Sequence, residues 1–280
     1  MLRPLLSSLL LVPALAAAGP WGEVRLPSAE LPQVYGGYAA GCIAGAQTLP
    51  LSGPGYQAMR PSRNRYYGHP ELLRFIEQLG YTAEARRFAP VLIGDLGQPR
   101  GGPMLSGHRS HQIGLDVDVW FLDAPGSRAP SGAALESLSA QTMIDPYAGR
   151  VLARFGARQR ALLRAAADDP AVERIFVNPV IKQSLCRSEA DRGWLHKIRP
   201  WWGHDAHFHV RLYCPPDSPQ CSAQKPIEPG DGCDAGLDAW VEEIRQAARR
   251  QPLPTPPAPE PVLPEACTAV LQAPSASARR

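Results

Sequence analysis

The chain has 280 residues, of which 44% are hydrophobic, and its formal net charge at pH 7 is +3. This length is sufficient for one buried core with peripheral decorations. The charges are spread thinly, without a block of like charges, so the composition gives no electrostatic case for nucleic-acid binding.

The first 18 residues have the organisation of a cleaved signal peptide. Arg3 supplies a positive charge, Leu5 to Leu15 form a short apolar core, and Ala16 to Ala18 fit a small-residue cleavage site. The apolar run is too short for a convincing membrane span, and no other stretch approaches one. We therefore expect cleavage after Ala18, export to the periplasm and a mature protein without a membrane span. The alternative interpretation is a buried N-terminal helix.

Helical and strand-like patterns alternate irregularly along the rest of the chain. Residues 19–60, rich in Gly, Pro and small side chains, predict an irregular N-terminal wrap. Apolar periodicity and flanking Pro or Gly residues predict the following elements: helices over 70–80, 151–167 and 237–249, and strands over 115–121, 172–180 and 208–213. The Pro-rich stretch 252–264 predicts an extended C-terminal segment, and residues 271–280 predict a disordered tail. This mixture lacks a βαβ rhythm and favours a single α+β domain over residues 19–270.

Six cysteines follow the signal segment, and an even number in an exported protein predicts three disulfides. Fifteen pairings are possible. Cys214 and Cys221 enclose a Pro-rich loop and form the most favoured local pair. No Cys-x-x-Cys spacing occurs, so a thiolate zinc site is not expected.

Five of the seven histidines fall in two segments. Residues 107–118 read Gly-His-Arg-Ser-His-Gln-Ile-Gly-Leu-Asp-Val-Asp, and residues 201–210 read Trp-Trp-Gly-His-Asp-Ala-His-Phe-His-Val. The first contains a His-x6-Asp pair, His111 and Asp118, and the second contains a His-x-His pair, His207 and His209, whose side chains point to one side of a strand. Together they can make a three-ligand metal site with an open position, as in catalytic zinc centres.

The ligands His111, Asp118 and His209 would be two neutral groups and one anion, a set that suits Zn²⁺. A water molecule would take the fourth position, with its pKa lowered to about 7. The alternative is that the histidines are ordinary surface or core residues and that Asp116 or Asp118 caps a turn.

Other hydrolase motifs are absent from the sequence. There is no His-Glu-x-x-His and no Gly-x-Ser-x-Gly. One Ser-x-x-Lys, Ser222 to Lys225, has neither Ser-Asp-Asn nor Lys-Thr-Gly beside it, so we interpret it as a chance match. A serine acyl-enzyme is therefore not supported.

The two histidine segments resemble those of the penicillin-insensitive murein endopeptidases. These belong to the LAS superfamily, together with lysostaphin-type endopeptidases and D-Ala-D-Ala metallopeptidases. Residues 65–70 (Arg-Tyr-Tyr-Gly-His-Pro) and 195–200 (Leu-His-Lys-Ile-Arg-Pro) support the resemblance, which extends over nearly the whole mature chain. It implies a LAS-type domain with a central antiparallel sheet flanked by helices. It also implies hydrolysis of the D-alanyl-meso-diaminopimelyl cross-link of peptidoglycan with one catalytic Zn²⁺.

The resemblance also implies roles for individual residues. His111, Asp118 and His209 would be the zinc ligands, and His207 would be a catalytic residue with His204 as its companion. His108 and Asp145 would belong to a second, weaker metal position, although Ala148 stands where a further ligand would be expected there. The remaining candidates are Asp116, which would orient a ligand from behind, and His69 and His196, which are structural or substrate-side.

Two further disulfides are expected, Cys42–Cys267 and Cys186–Cys233. The first would tie down the two ends of the mature domain, and the second matches the cysteine arrangement of the family. Two alternative functions stay open: a D,D-carboxypeptidase that trims terminal D-Ala, and a non-catalytic peptidoglycan-binding protein with a structural or vestigial metal. The sequence does not indicate an oligomeric state.

Overall fold

The computed structural model describes residues 19–104, 108–250 and 259–277. The expected signal peptide and residues 251–258 of the Pro-rich stretch lie outside the described residues. Within the described ranges, no helix is long and apolar enough to cross a membrane.

The fold is built on a mixed, mostly antiparallel sheet with helices packed against it, as the α+β prediction requires. The strands, in chain order, are β1 (Gln33–Gly37), β2 (Ala40–Ala44), β3 (Gln47–Thr48), β4 (Ser52–Gly53), β5 (Tyr56–Ala58), β6 (Tyr67–Gly68), β7 (Val91–Ile93), β8 (Asp116–Trp120), β9 (Ile144–Asp145), β10 (Arg150–Val151), β11 (Val172–Val177), β12 (Ile198–Pro200) and β13 (His207–Leu212). Seven of them form the central sheet in the order β12-β11-β13-β8-β7-β5-β4. The pairs β11–β12 and β5–β7 are parallel, and the other neighbours are antiparallel.

Helices surround this sheet. The α-helices are α1 (Pro20–Glu23), α2 (Pro70–Ala85), α3 (Ala134–Ser137), α4 (Ala157–Asp168), α5 (Pro179–Ser188), α6 (Ala235–Ala247) and α7 (Ala266–Gln272), and short 3₁₀ helices cover Pro61–Arg63, Pro125–Ser127 and Gly193–Lys197. Helices α2 and α4 contact each other, and they pack on β5 and β11 respectively, whereas α5 packs on β12 and α6. Helix α7 contacts β2 outside the central sheet.

The two central strands, β8 and β13, alternate between a core face and a polar face. Val117 and Val119 on β8, and Phe208 and Val210 on β13, are fully buried in the main apolar core. Burial of each such side chain stabilises the fold by about 1.5–3 kcal/mol. A slip of one residue would move all four to the opposite face, so their burial holds the register of the polar residues between them.

Helix α2 begins where the sequence predicts and ends later. Pro70 occupies its first position, and the Nδ1 atom of His69 accepts a hydrogen bond from the Glu71 N–H at 3.3 Å. Gly80, the predicted end, lies inside the helix because it packs against the preceding loop: a Cβ there would meet the Pro54 carbonyl oxygen at 2.3 Å. This glycine lets helix α2 approach the preceding loop closely, and it does not end the helix.

Two other predicted boundaries are wrong. The helix expected from residue 151 begins at Ala157, because Arg150–Val151 pairs with Ile144–Asp145 as a short hairpin. The strand expected over 172–180 ends at Val177, and helix α5 follows it. The Asn178 side chain accepts a hydrogen bond from the Val180 N–H at 3.0 Å, and Pro179 occupies the first turn. Pro179 therefore ends the strand, as predicted, and also opens a helix that the sequence analysis missed.

The termini are more regular than expected. Residues 33–44 form the hairpin β1–β2, and β5 joins the central sheet, so the N-terminal wrap is only partly irregular. At the other end, Leu271 and Gln272 complete helix α7. Ser275 forms a β-bridge with Ser28, and the Ala276 N–H donates to the Pro27 carbonyl at 2.9 Å. The described residues 271–277 thus include a helix end and backbone contacts, which differs from the disordered tail predicted over 271–280.

The three disulfides are those predicted: Cys42–Cys267, Cys186–Cys233 and Cys214–Cys221. The first joins β2 to α7, and the second joins the end of α5 to the loop before α6.

Candidate metal centre

The polar faces of β8 and β13 bring the two sequence segments together. These strands pair antiparallel with Asp118 opposite His209 and Asp116 opposite Arg211. Because alternate residues share a face, His207 and His209 lie on the same side as both aspartates. The pairing of hydrophobic residues on the other face therefore places two histidines beside Asp118.

The loop before β8 supplies His111. This residue has φ 67°, in the left-handed region that non-glycine residues seldom adopt, and its N–H donates to Asp116 Oδ2 at 3.0 Å. Gly114 turns the chain into the strand with φ 69°, and a Cβ there would meet the Cα of Gly68 at 3.1 Å. The Asp116 hydrogen bond holds the unfavourable backbone that points the His111 ring at Asp118.

Four imidazoles converge on the Asp118 carboxylate. Its Oδ1 lies 3.2 Å from His209 Nδ1, 3.4 Å from His111 Nε2 and 3.5 Å from His207 Nε2. Its Oδ2 lies 3.5 Å from His108 Nε2. One ligand atom from each of His108, His111 and Asp118 lies within 4.8 Å of the others, which is the spacing of a metal site.

The buried atoms at the centre of this cluster fit a cation. His111 Nε2 and Asp118 Oδ1 are both buried without a hydrogen-bond partner in the described structure. Buried polar atoms are normally hydrogen-bonded, and leaving one without a partner is costly. Imidazole nitrogens and one carboxylate are ligands that Zn²⁺ accepts, so these residues are suited to hold one.

Electrostatics at the cluster have identifiable causes. Burial lowers the pKa of His111, although Asp118 opposes this effect. Burial would raise the pKa of Asp118, but His207 and His111 hold it well below the usual range. A neutral His111 beside an ionised Asp118 is the protonation state that metal ligands require.

His209 is held between two carboxylates. Its Nδ1 faces Asp118, while its Nε2 lies 3.2 Å from Asp116 Oδ1. Burial would lower the pKa of His209, but Asp116 raises it to about 9. The arrangement carboxylate–imidazole–metal fixes the tautomer of a ligand histidine and strengthens its basicity. Asp116 therefore lies where the sequence analysis expected it, behind the candidate ligand.

Asp116 is itself buried and bound by an arginine. Arg211 donates from Nε to Oδ1 at 2.8 Å and from a terminal nitrogen to Oδ2 at 2.9 Å. The guanidinium carbon of Arg211 lies 4.1 Å from the centroid of the Tyr38 ring. Burial would raise the pKa of Asp116, but Arg211 and His209 hold it well below the usual range. This pair keeps a carboxylate ionised behind His209.

His204 lies beside the cluster, as the sequence analysis expected. Its ring centroid lies 5.2 Å from that of His207 and 5.7 Å from that of His209. Burial and the neighbouring His209 and His207 lower the pKa of His204 to about 3. Its Nδ1 lies 2.8 Å from the Trp202 carbonyl oxygen, which can only accept, so Nδ1 carries the hydrogen and Nε2 is an acceptor.

The second metal position, expected from His108 and Asp145, stays a prediction, and no contact between these two side chains is found among the described residues. Asp145 Oδ1 accepts hydrogen bonds from the N–H groups of Tyr147 and Ala148, both at 3.1 Å, and so shapes its own turn. His108 instead lies 3.2 Å from Asp95 Oδ2. His108 therefore belongs with the central cluster and is not paired with Asp145.

Asp95 was missed by the sequence analysis. It follows β7, the strand beside β8, and Arg63 and Arg65 each contact its Oδ2 at 3.0 Å. Burial would raise the pKa of Asp95, but a hydrogen bond with His108 and the two arginines lower it to about 2. The available signal was a carboxylate two positions after the short apolar run Val91–Ile93.

The remaining two histidines lie outside the cluster. His69 is buried and caps helix α2, which is a structural role. His196 Nδ1 lies 3.0 Å from the Gly230 carbonyl oxygen. Neither contributes an atom to the group around Asp118.

Two cavities open onto the cluster, and both reach His108 and His207. The smaller, of about 240 Å³, is also lined by Asp95, Asp118, Trp120 and Arg60. The larger, of about 580 Å³, is also lined by Arg109, Arg174, Phe176, Trp201 and Trp202. The side chain of His207 is 24% exposed, so it can meet a molecule entering from either side.

The described residues form an α+β domain in which histidines and a carboxylate converge in an open cleft, an arrangement that suits a metal ion. The chain belongs to the penicillin-insensitive murein endopeptidase family, whose model matches residues 34–272. A relative with that name from Yersinia enterocolitica is 45% identical to this chain over 95% of both chains. One from Haemophilus influenzae is 44% identical over 91% of this chain and 89% of the relative. Another, in Klebsiella pneumoniae, is 43% identical over 91% of this chain and 92% of the relative.

Proposed function

We propose that the protein is an exported zinc endopeptidase that hydrolyses the D-alanyl-meso-diaminopimelyl cross-link of peptidoglycan in the periplasm. One observation carries the proposal: His111, His209 and Asp118 converge in a cleft, where His111 Nε2 and Asp118 Oδ1 are buried without a hydrogen-bond partner. Family membership and the names of the relatives support peptidoglycan as the substrate. The three disulfides fit an oxidising compartment.

His111, Asp118 and His209 would hold the metal, and Asp116 would hold the His209 ring in the ligating orientation. When bound, Zn²⁺ supplies a Lewis acid for the scissile carbonyl and lowers the pKa of a bound water. Arg211 keeps Asp116 ionised for its positioning role.

His207 is the better candidate for moving the proton. It lines both cavities, and its Nε2 lies 3.5 Å from Asp118 Oδ1, beside the candidate metal position. His204 has a pKa of about 3 and is therefore a weak base at neutral pH. Its unprotonated Nε2 would accept a hydrogen bond, and His207 would take the proton from water and pass it to the leaving amine.

Digestion of purified cross-linked muropeptides, with and without a chelator, tests the proposal. We expect loss of the dimer that stops on chelation and returns when Zn²⁺ is added. Release of free D-Ala from uncross-linked pentapeptides instead would identify a carboxypeptidase. Binding of the dimer without cleavage would identify a peptidoglycan-binding protein, and either result would contradict the proposal.

A further inference from the structure

Left-handed backbone conformations concentrate at the metal centre. In the described ranges the non-glycine residues with positive φ are Arg60, Asn64, Arg87, His111 and His204. Asn64 and Arg87 follow the C-terminal ends of helices, where this conformation is common, whereas Arg60 precedes the 3₁₀ helix Pro61–Arg63. His111 and His204 belong to the cluster itself. Arg60 remains, with φ 56°, and it lines the smaller cavity beside Asp118 and His207.

The conformation of Arg60 aims and anchors its side chain. Its N–H donates to the Leu135 carbonyl at 2.9 Å. Its guanidinium carbon lies 5.9 Å from the centroid of the Trp120 ring, and one terminal nitrogen donates to Ser139 Oγ at 3.3 Å. Trp120 stands on the same face of β8 as Asp118, so Arg60 is held near the candidate metal position. Left-handed backbone at a non-glycine residue persists where the surroundings enforce it, and it is concentrated at functional sites.

The guanidinium of Arg60 has donors available for an anion. Arg63 and Arg65 both contact Asp95, and Glu136 accepts hydrogen bonds from Ser62. Among the described ion pairs of this region, none involves Arg60, whose charge acts on the exposed Glu136 carboxylate without a close contact. A guanidinium has five N–H donors, and pairs of them match the two oxygens of a carboxylate.

The cross-link of the proposed function presents such a carboxylate. The scissile amide nitrogen is attached to the D-centre of diaminopimelate, and the same carbon carries a carboxyl group. We propose that Arg60 binds this carboxylate and thereby sets the specificity for the leaving group, which would lie in the smaller cavity. This assignment rests on the proposed function. Arg60 acts by binding substrate and takes no part in proton transfer.

A pair of matched substrates tests the assignment. Both are the same cross-linked dimer, with the D-centre carboxyl group free in one and converted to a carboxamide in the other. Because a charge-assisted, bidentate contact is lost, we expect wild-type kcat/KM to be about 10- to 100-fold higher for the free carboxylate. Arg60→Gly should remove this preference, and Arg60→Lys should keep part of it, since lysine retains the charge without the planar fork.

The glycine variant is chosen because it should fold. Glycine adopts φ 56° without strain, which offsets part of the stability lost with the Trp120 and Ser139 contacts, so Arg60→Gly should fold although it loses substrate discrimination. Arg109→Gln is the matched comparison, because Arg109 is an exposed arginine lining the larger cavity. It should keep the wild-type ratio between the two dimers.

An Arg60→Gly enzyme with the wild-type preference for the carboxylate would overturn the assignment and leave the proposed function intact. If Arg109→Gln lost the preference instead, the carboxylate would be assigned to the larger cavity, and this result would also overturn the Arg60 assignment. A wild-type protein that cleaved neither dimer would overturn the proposed function, and this assignment with it.

Discussion

Asp118 is the residue on which the candidate site is centred. It is buried, it faces four imidazoles, and its Oδ1 has no hydrogen-bond partner. Ligand atoms arranged in this way are stabilised by a cation and are costly without one. The integrity of the site should therefore depend on each of the ligand residues.

Replacing His111 or His209 by Ala, or Asp118 by Asn, should remove one of three ligands. We expect each variant to lose most of its bound zinc and its hydrolytic activity. Metal content of the purified protein and cleavage of cross-linked dimers measure the two effects. His196→Ala is the matched control, because this histidine contacts a backbone carbonyl outside the cluster. Full zinc content and full turnover in any of the three ligand variants would contradict the ligand assignment.

His207 should separate metal binding from chemistry. His207→Ala leaves His111, Asp118 and His209 in place, so zinc should remain bound. The rate should fall by about 10²–10⁴-fold, the usual scale for losing a positioned acid or base. Metal content and kcat should be measured on the same preparation, so that the loss of zinc can be compared with the loss of rate. If zinc content fell in proportion to the rate, His207 would be a ligand and not a proton carrier.

At the scale of single elements, helix α5 carries a buried lysine. The amino group of Lys182 donates to the carbonyl oxygens of Leu195, at 2.7 Å, and Asp231. Burial, together with the nearby Arg199, lowers the pKa of Lys182 to about 7. A neutral amine still provides both hydrogen bonds, so the folded protein favours the uncharged form.

Lys182 should therefore add to the stability of the protein as the pH rises from about 7 to 10, whereas His209, whose pKa is raised to about 9, acts in the opposite direction up to about pH 9. In this range the lysine is protonated in the unfolded chain, whose pKa is near 10.4, and increasingly neutral in the folded one. Because the unfolded state binds more protons, the free energy of unfolding increases with pH, by up to about 1 kcal/mol per unit. The window ends near pH 10, where the lysine of the unfolded chain also loses its proton. Above that pH, stability should fall, because burial raises the pKa of Tyr38 and Tyr67 and only the unfolded chain ionises them.

Lys182→Met isolates this contribution. Methionine has a similar length and no charge, so the variant should lose the additional slope although it is less stable overall. Urea denaturation of both proteins at several pH values gives the difference, in which groups common to the two proteins cancel. Parallel pH profiles for wild type and variant would show that Lys182 does not titrate in this range.

Elements with a complete local pattern could be predicted from the sequence. Strand β13 alternates between polar and apolar residues, as β8 does up to Val119, and the bounds of both strands differ from the predictions by one residue. Helix α5 could not be predicted in the same way, because Pro179 reads equally as the end of a strand and the start of a helix. Strand β7 has only three residues, all buried, and such a run carries no periodicity.

At the scale of the whole molecule, some residues of the candidate site could be predicted from the sequence and others could not. His111, Asp118, His207 and His209 come from two short segments whose spacing shows that they can meet. Asp95 and Arg60 reach the site only because β7 and β5 follow β8 in the sheet order. Each residue comes one or two positions after its strand, and these two strands are parallel, so both side chains arrive at one edge. The order of the strands in the sheet cannot be predicted from a local sequence pattern.

The disulfides act on the whole chain, and their effects on stability should be ranked by the length of chain they close. Cys42–Cys267, Cys186–Cys233 and Cys214–Cys221 are separated by 225, 47 and 7 residues. In the chain-entropy model these loops correspond to about 5, about 4 and about 2.5 kcal/mol of stabilisation at 25 °C. The long loop is stabilised most because its closure removes most freedom from the unfolded chain.

Three double variants, each with one cysteine pair replaced by alanine, test this ranking by urea denaturation. The free energy of unfolding should fall most when Cys42 and Cys267 are replaced and least when Cys214 and Cys221 are replaced. None of the cysteines contacts Asp118 or its histidines, so zinc content should be unchanged below the unfolding transition. A loss for the short Cys214–Cys221 loop that equalled the loss for Cys42–Cys267 would rule out loop entropy as the main source of stabilisation. Strain or lost packing in the folded state would then account for the effect.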